Sequence, residues 1–237
     1  MIQLKINNRF VEVPEGATIL QAARKLGIFI PTFCHDDNER LPERREDGCE
    51  EDTKCWMCSC QVEGQDYLVP ACSTKAENGM VVWTETKAVR DARIAILLDK
   101  LSIHPMDCLN CRKLGSCKLQ KYCQMYGVDG PSYTAPFVHR EKDLSNRFYL
   151  QDMDKCIRCG KCVRTCRDLV GINALKMVRK DDLIYIVPNG GETMADTDCV
   201  SCGNCVSACP VGALMPKSQN DFRGWETRVV RTTCGYC

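Results

Sequence analysis

Eight cysteines stand in two C-x2-C-x2-C-x3-C runs. The first is Cys156, Cys159, Cys162 and Cys166; the second is Cys199, Cys202, Cys205 and Cys209, followed by Pro210. Each cysteine of the second run lies 43 residues after its counterpart, so the two runs form an internal repeat. Three thiolates on one tight loop can hold three irons of a [4Fe–4S] cubane. Structural zinc is the competing chemistry, but zinc ribbons usually use separated C-x2-C pairs rather than three cysteines in one loop. Gly160 and Gly203 follow the second cysteine of each run. The missing Cβ there lets backbone N–H groups approach the sulfides of a cluster.

The spacing resembles that of bacterial two-cluster ferredoxins, in which the fourth cysteine of each run ligates the other cluster. The resemblance implies one [4Fe–4S] cluster on Cys156, Cys159, Cys162 and Cys209. It implies a second on Cys199, Cys202, Cys205 and Cys166. Lys155, Arg158, Lys161, Arg164 and Arg167 crowd the first run, whereas Asp196 and Asp198 precede the second. Residues 183–187 predict a short strand between the halves.

The N-terminal segment must position a different set of cysteines. Ile2, Leu4 and Ile6 alternate with polar residues, Asn7-Asn8 turns the chain, and Val11 and Val13 alternate again. This pattern predicts a β-hairpin with a two-residue turn. Thr18 with Gln21 forms a capping box ahead of Ile19, Ala22, Ala23 and Leu26 at helical spacing, with Gly27 as the residue past the helix end. Six cysteines follow: Cys34, Cys49, Cys55, Cys58, Cys60 and Cys72. Hairpin, helix and cysteine loop in that order resemble β-grasp ferredoxins, and only four of the six can hold a [2Fe–2S] cluster.

Pro31-Thr32-Phe33-Cys34, Cys55-Trp56-Met57-Cys58, and Val69-Pro70-Ala71-Cys72 with Gly79-Met80 resemble the N-terminal region of the large iron–sulfur subunit of respiratory complex I. The same region occurs in [FeFe] hydrogenase catalytic subunits and NAD-linked formate dehydrogenases. The resemblance implies Cys34, Cys55, Cys58 and Cys72 as the [2Fe–2S] ligands. This sequence departs from the family between Cys34 and Cys55, where the gap is longer. The excess lies in residues 39–54, where eleven of sixteen residues are charged. It reads as a solvated surface loop or as a partner-docking loop, with Cys49 a free thiol inside it. Cys60 shares strand parity with Val62 and reads as a small buried hydrophobe.

Residues 85–101 carry Ala88, Ala92, Ala95, Ile96 and Leu101 between charged residues and predict an amphipathic helix, stopped at His104-Pro105. His104, Cys108, Cys111 and Cys117 then give H-x3-C-x2-C-x5-C. In the complex I family a [4Fe–4S] cluster here is held by one histidine and three cysteines, so the resemblance assigns these four residues. Cys123 has no partner spacing and reads as structural.

The resemblance covers residues 1 to about 218 with four cluster motifs in the same order. It implies an α+β fold in three parts. These are a β-grasp [2Fe–2S] domain over 1–80, a small helical [4Fe–4S] segment with one histidine and three cysteines over 81–140, and a two-cluster [4Fe–4S] ferredoxin domain over 141–218. A tail over 219–237 ends in Cys234 and Cys237, spaced C-x2-C. In the formate dehydrogenases this looks like the opening of a molybdopterin domain. Here the pair reads as a remnant, as half of a further metal site at a subunit contact, or as a reversible disulfide.

Twenty cysteines in 237 residues would suggest disulfides in a secreted protein, but the N-terminus has no leader pattern. The strongly apolar stretch 94–98 is too short to span a bilayer. A net charge of +1 gives no argument for nucleic acid or an anionic membrane surface. The expectation is a soluble, cytoplasmic protein without membrane insertion. No nucleotide-binding glycine pattern or nucleophile constellation is visible, so NAD and flavin are expected on other chains and no catalytic residue is assigned. The implied function is an electron-transfer subunit with one [2Fe–2S] and three [4Fe–4S] clusters. It would stand between a flavoprotein NADH-binding subunit and a further redox subunit, with ferredoxin as another exchange partner. An electron-bifurcating hydrogenase or transhydrogenase complex is the setting. A separate electron-input arm of a formate dehydrogenase or hydrogenase, and an iron–sulfur redox sensor, are the alternatives.

Overall fold

The alternation at the N-terminus folds as expected. Strands β1 (Ile2–Ile6) and β2 (Arg9–Val13) pair antiparallel from Ile2↔Val13 to Ile6↔Arg9. Asn7 and Asn8 both take positive φ, at 45° and 67°, the tight turn whose twist matches the strands. A computed structural model describes residues 1–35, 54–135, 139–180, 183–217, 228, 230 and 231. Cys49 with nearly all of the charged loop, and Cys234 and Cys237, lie outside the described residues.

Helix α1 (Ile19–Lys25) begins at the reciprocal Thr18–Gln21 capping box and is followed by Gly27 at φ 70°. Strands β3 (Ser59–Val62), β4 (Leu68–Pro70) and β5 (Val81–Trp83) complete a sheet of order β2-β1-β5-β3-β4. Within it β1 and β5 run parallel and the other pairs antiparallel. The inward set Leu4, Ile6, Val11, Val13 and Val82 packs with Ile19, Leu20, Ala22 and Ala23 of α1 in one core. Each fully buried aliphatic chain there contributes about 1.5–3 kcal/mol relative to exposure. The sheet gripping one helix is the β-grasp arrangement.

Helix α2 (Lys87–Ser102) is capped by the Thr86 hydroxyl. Its buried stripe differs from the expected one. Val89, Arg93, Leu97 and Leu101 face inward, whereas Ala88 and Ala95 are exposed. The reason is Arg93, a charged residue at a core position with 0% exposure. Its guanidinium donates to Glu85 Oε1 at 2.6 Å, Tyr126 Oη at 2.7 Å and the Ser59 carbonyl at 2.9 Å. Burial without such partners would be prohibitive. With them, Arg93 ties α2 to β3 and to helix α3 (Lys118–Tyr126), which stops at Gly127 in the left-handed region.

The C-terminal part is built around the repeat. Strand β6 (Tyr149–Gln151) pairs antiparallel with β9 (Leu214–Pro216), which brings its two ends together. The expected strand near 183 is β8 (Leu183–Pro188), and it forms a hairpin with β7 (Leu175–Lys180) in six pairs. Each half has a 3-10 turn (153–155 and 194–196), a cysteine loop and a short helix, α4 (Lys161–Arg164) or α5 (Asn204–Ala208). The halves then diverge. Pro210 disfavours helical backbone at the residue before it, and Cys209 is extended at φ −65°, ψ 121°. Arg167 stands in the matching position of the first half, so the chain stays wound in a π-helical stretch (165–170) that carries Cys166.

Candidate metal centres

The Cys34 group lies at one end of the β-grasp sheet. Cys34 leaves the segment after α1, Cys55 and Cys58 flank a turn with Trp56 at φ 55°, and Cys72 follows β4. The Ser59 amide and hydroxyl both donate to the Trp56 carbonyl, at 3.0 and 2.6 Å, and hold this turn. The sulfurs meet in one hydrogen-bonded set: Cys34 bonds to Cys55 and to Cys72, and Cys72 also bonds to Cys58. Hydrogen bonds between the thiols, then burial, push Cys55 and Cys72 above the ordinary thiol range, while the hydrogen bond with Cys72 draws Cys58 down. Four thiols within mutual reach suit two irons with two thiolates each. Cys60 is fully buried on β3, bonds to the Val69 carbonyl, and is pushed by burial to about 12. It is an inert core thiol.

The end of α2 delivers the second group. His104, Cys108, Cys111 and Cys117 line one cavity of about 240 Å³. Cys108 opens a 3-10 turn and Cys117 precedes α3. The Nδ1 atom of His104 is buried with no hydrogen-bond partner. Burial, reinforced by the Lys155 charge, holds the ring down at about 4, so the imidazole is neutral near pH 7. A neutral ring with an unpartnered buried nitrogen beside three thiols is the donor set that a cluster with one histidine and three cysteine ligands needs. Cys123 lines the same cavity, and burial pushes it to about 11. The sequence contains no spacing signal for that placement.

The repeat supplies the last two groups, and the structure combines their cysteines crosswise. One cavity is lined by Cys156, Cys159, Cys162 and Cys209. Another is lined by Cys166, Cys199, Cys202 and Cys205. The loops match in detail: Arg158 and Ser201 take φ of 60° and 56°, and each donates its amide at 3.4 Å to the first cysteine of its run. Burial pushes Cys156 to about 11 and Cys159 and Cys205 to about 12. Thiols held this high stay protonated near pH 7 unless a bound metal ionises them. Side chains other than cysteine also reach sulfur. The Tyr149 hydroxyl lies 3.1 Å from Cys199 Sγ, and Asn204 Nδ2 donates to Cys202 Sγ at 3.4 Å.

The groups adjoin one another. The Arg164 guanidinium, 2% exposed, donates to the Cys34 carbonyl at 3.2 Å, and Cys34 lies within electrostatic reach of Cys159. A Cβ on Gly212 would stand 2.8 Å from Cys111 Sγ, so the strand entry after Cys209 touches the histidine group. Cys162 senses Cys205 across the repeat. The Cys156 group therefore borders all three others. Among the described residues no three His, Cys, Asp or Glu side chains converge closely enough for a single metal ion. A cluster spreads its ligands over several irons.

Three family models match this chain: a 2Fe-2S iron-sulfur cluster binding domain over residues 1–87, an NADH-ubiquinone oxidoreductase-G iron-sulfur binding region over 95–131, and a 4Fe-4S dicluster domain over 155–213. Fold and ligand groups thus define an iron–sulfur protein of [2Fe–2S] and [4Fe–4S] ferredoxin-type domains. More particularly, the chain is a homologue of complex I iron–sulfur subunits and of an NADP-reducing hydrogenase subunit. It is 37% identical over 240 residues to a subunit of NADH-quinone oxidoreductase from Rhizobium meliloti, matching 100% of this chain and 27% of that protein. It is 37% identical over 216 residues to NADP-reducing hydrogenase subunit HndD of Solidesulfovibrio fructosivorans, matching 91% of this chain and 36% of that protein. The chain thus spans roughly a third or less of these relatives. A crystal structure of NAD+-reducing [NiFe]-hydrogenase in the H2-reduced state shares the fold at TM-score 0.81 and 23% identity, with 92% of this chain and 88% of that chain covered. No described helix is long and apolar enough to cross a membrane.

Proposed function

We propose that this chain is an electron relay of a soluble, cytoplasmic, multisubunit NAD(P)-linked oxidoreductase. It carries one [2Fe–2S] cluster on Cys34, Cys55, Cys58 and Cys72, and three [4Fe–4S] clusters. The [4Fe–4S] ligands are His104, Cys108, Cys111 and Cys117; Cys156, Cys159, Cys162 and Cys209; and Cys199, Cys202, Cys205 and Cys166. The working units are residues 1–80, 81–140 and 141–218, with 219–237 as a tail whose Cys234 and Cys237 supply half of a further metal site at a subunit contact. A flavoprotein NADH-binding subunit supplies or accepts electrons on one side and a second redox subunit on the other, in a complex that bifurcates electrons.

The observation that carries this reading is the adjacency of the four ligand groups through one shared core. That core contains Cys34 and Cys55, Cys159 and Cys162, and Cys205 and Cys209, with Cys117 packed against it. Bound clusters supply one-electron centres. The chain's own part is to hold three of them around the Cys156 group, shielded by Phe33, Ile157 and Leu214. A sensor needs one exposed cluster, not four adjoining ones.

Anaerobic purification of the intact complex tests the proposal. Flavin is expected to co-purify, and NAD(P)H is expected to bring up the reduced EPR signals of this chain within turnover time. Purification without a flavoprotein, with clusters that NAD(P)H leaves oxidised, would contradict the relay and favour the sensor.

A further inference from the structure

Asn146 and Tyr149 lie outside every cysteine motif, yet they build the surroundings of one sulfur. Tyr149 opens β6, is 2% exposed, and sits opposite Pro216 of β9. Its hydroxyl lies 3.1 Å from Cys199 Sγ. Asn146 fixes the approach. Its Oδ1 accepts the backbone amides of Phe148 and Tyr149 at 2.9 and 3.3 Å. Its Nδ2 donates to Ser201 Oγ at 2.9 Å and reaches Cys199 Sγ at 3.9 Å. The Ser201 amide completes the set on Cys199 at 3.4 Å. The matching sulfur of the first run, Cys156, receives the Arg158 amide. No side-chain hydroxyl or amide bonds to it among the described residues.

We propose that Tyr149 is a potential-setting residue for the cluster held by Cys199, and that Asn146 positions it. The inference rests on the reading that Cys199 ligates iron. A ligating cysteine carries no proton, so the Tyr149 hydroxyl is the donor and the thiolate the acceptor. Bonds donated to cluster sulfurs are among the terms that set reduction potential. The reduced cluster carries one more negative charge, and a hydrogen bond to the more negative acceptor is stronger. The hydroxyl proton stays on Tyr149 in both oxidation states, and the bond favours the reduced one. The two halves of the repeat thereby differ: neutral donors tune the Cys199 cluster, and Arg and Lys side chains surround the Cys156 cluster.

The test is redox-titrated EPR on the reconstituted full chain, with the Cys199 centre identified as the signal missing in Cys199→Ala. Tyr149→Phe is expected to keep the wild-type iron content. At fixed potential it is expected to raise the oxidised-to-reduced ratio of that centre about tenfold, a fall of about 59 mV for one electron. The other centres stay unchanged. Asn146→Ala is expected to shift the same centre in the same direction by less. Site-specific 3-fluorotyrosine at 149 is a more acidic donor and is expected to raise the potential, so the sign reverses without loss of packing. Unchanged potentials with full iron in Tyr149→Phe would overturn the inference while leaving ligation intact. If Tyr149→Phe loses the cluster, a fluorotyrosine shift of zero or of the same sign as Asn146→Ala overturns it. A wild-type chain lacking iron at this site would fail both the ligation and the inference, and iron analysis separates that case.

Discussion

Replacing His104 with alanine is expected to remove about four irons, one whole [4Fe–4S] cluster, while the other three clusters remain. The His104 Nδ1 atom is buried without a partner in the cavity shared with Cys108, Cys111 and Cys117. Three thiolates leave one cubane iron without a protein ligand, and alanine offers no donor. His104→Cys is expected to keep the cluster and lower its potential, because a thiolate adds negative charge where the imidazole is neutral. Cys123 borders the same cavity, so the alanine variant should also be made with Cys123→Ala, which excludes a substitute ligand. Iron analysis and redox-titrated EPR read the result. Unchanged signals in both His104 variants would show that His104 is not a ligand.

The second large effect separates crossed from uncrossed ligation in the repeat. Cys209→Ala is expected to cost about four irons, and so is Cys156→Ala. Their combination is expected to cost no more than either alone, since both act on one cluster. Cys209→Ala combined with Cys199→Ala is expected to cost about eight. Within-run ligation requires the opposite pattern of additivity. Crossed ligation is expected because Cys209 lines one cavity together with Cys156, Cys159 and Cys162. The crossing holds although the backbone paths separate at Pro210 and Arg167. Cys209 is extended and Cys166 is wound, yet each reaches the opposite loop.

What the sequence revealed was local. The Asn7-Asn8 turn, the Thr18–Gln21 cap and the cysteine spacings each depend on residues a few positions apart, and local geometry enforces them. What it concealed depends on distant partners. Arg93 is legible as a surface charge until Ser59 and Tyr126 are known to stand beside it. Strand β7 lacks clean alternation and is defined by its pairing with β8. Arg158 and Ser201 give no composition signal for positive φ, which the closed cysteine loops impose. Tyr149 and Asn146 reach Cys199 across about fifty residues, and no motif spacing spans that distance. The cysteine groups are therefore legible in the sequence, and the side chains that reach them from a distance are not.

The central claim is four clusters in one chain. Iron and acid-labile sulfide analysis of the fully reconstituted protein, prepared anaerobically, tests it most directly. One two-iron and three four-iron clusters predict a plateau at about fourteen irons with matching sulfide. A reproducible plateau at about ten, or zinc in place of iron and sulfide, would contradict it.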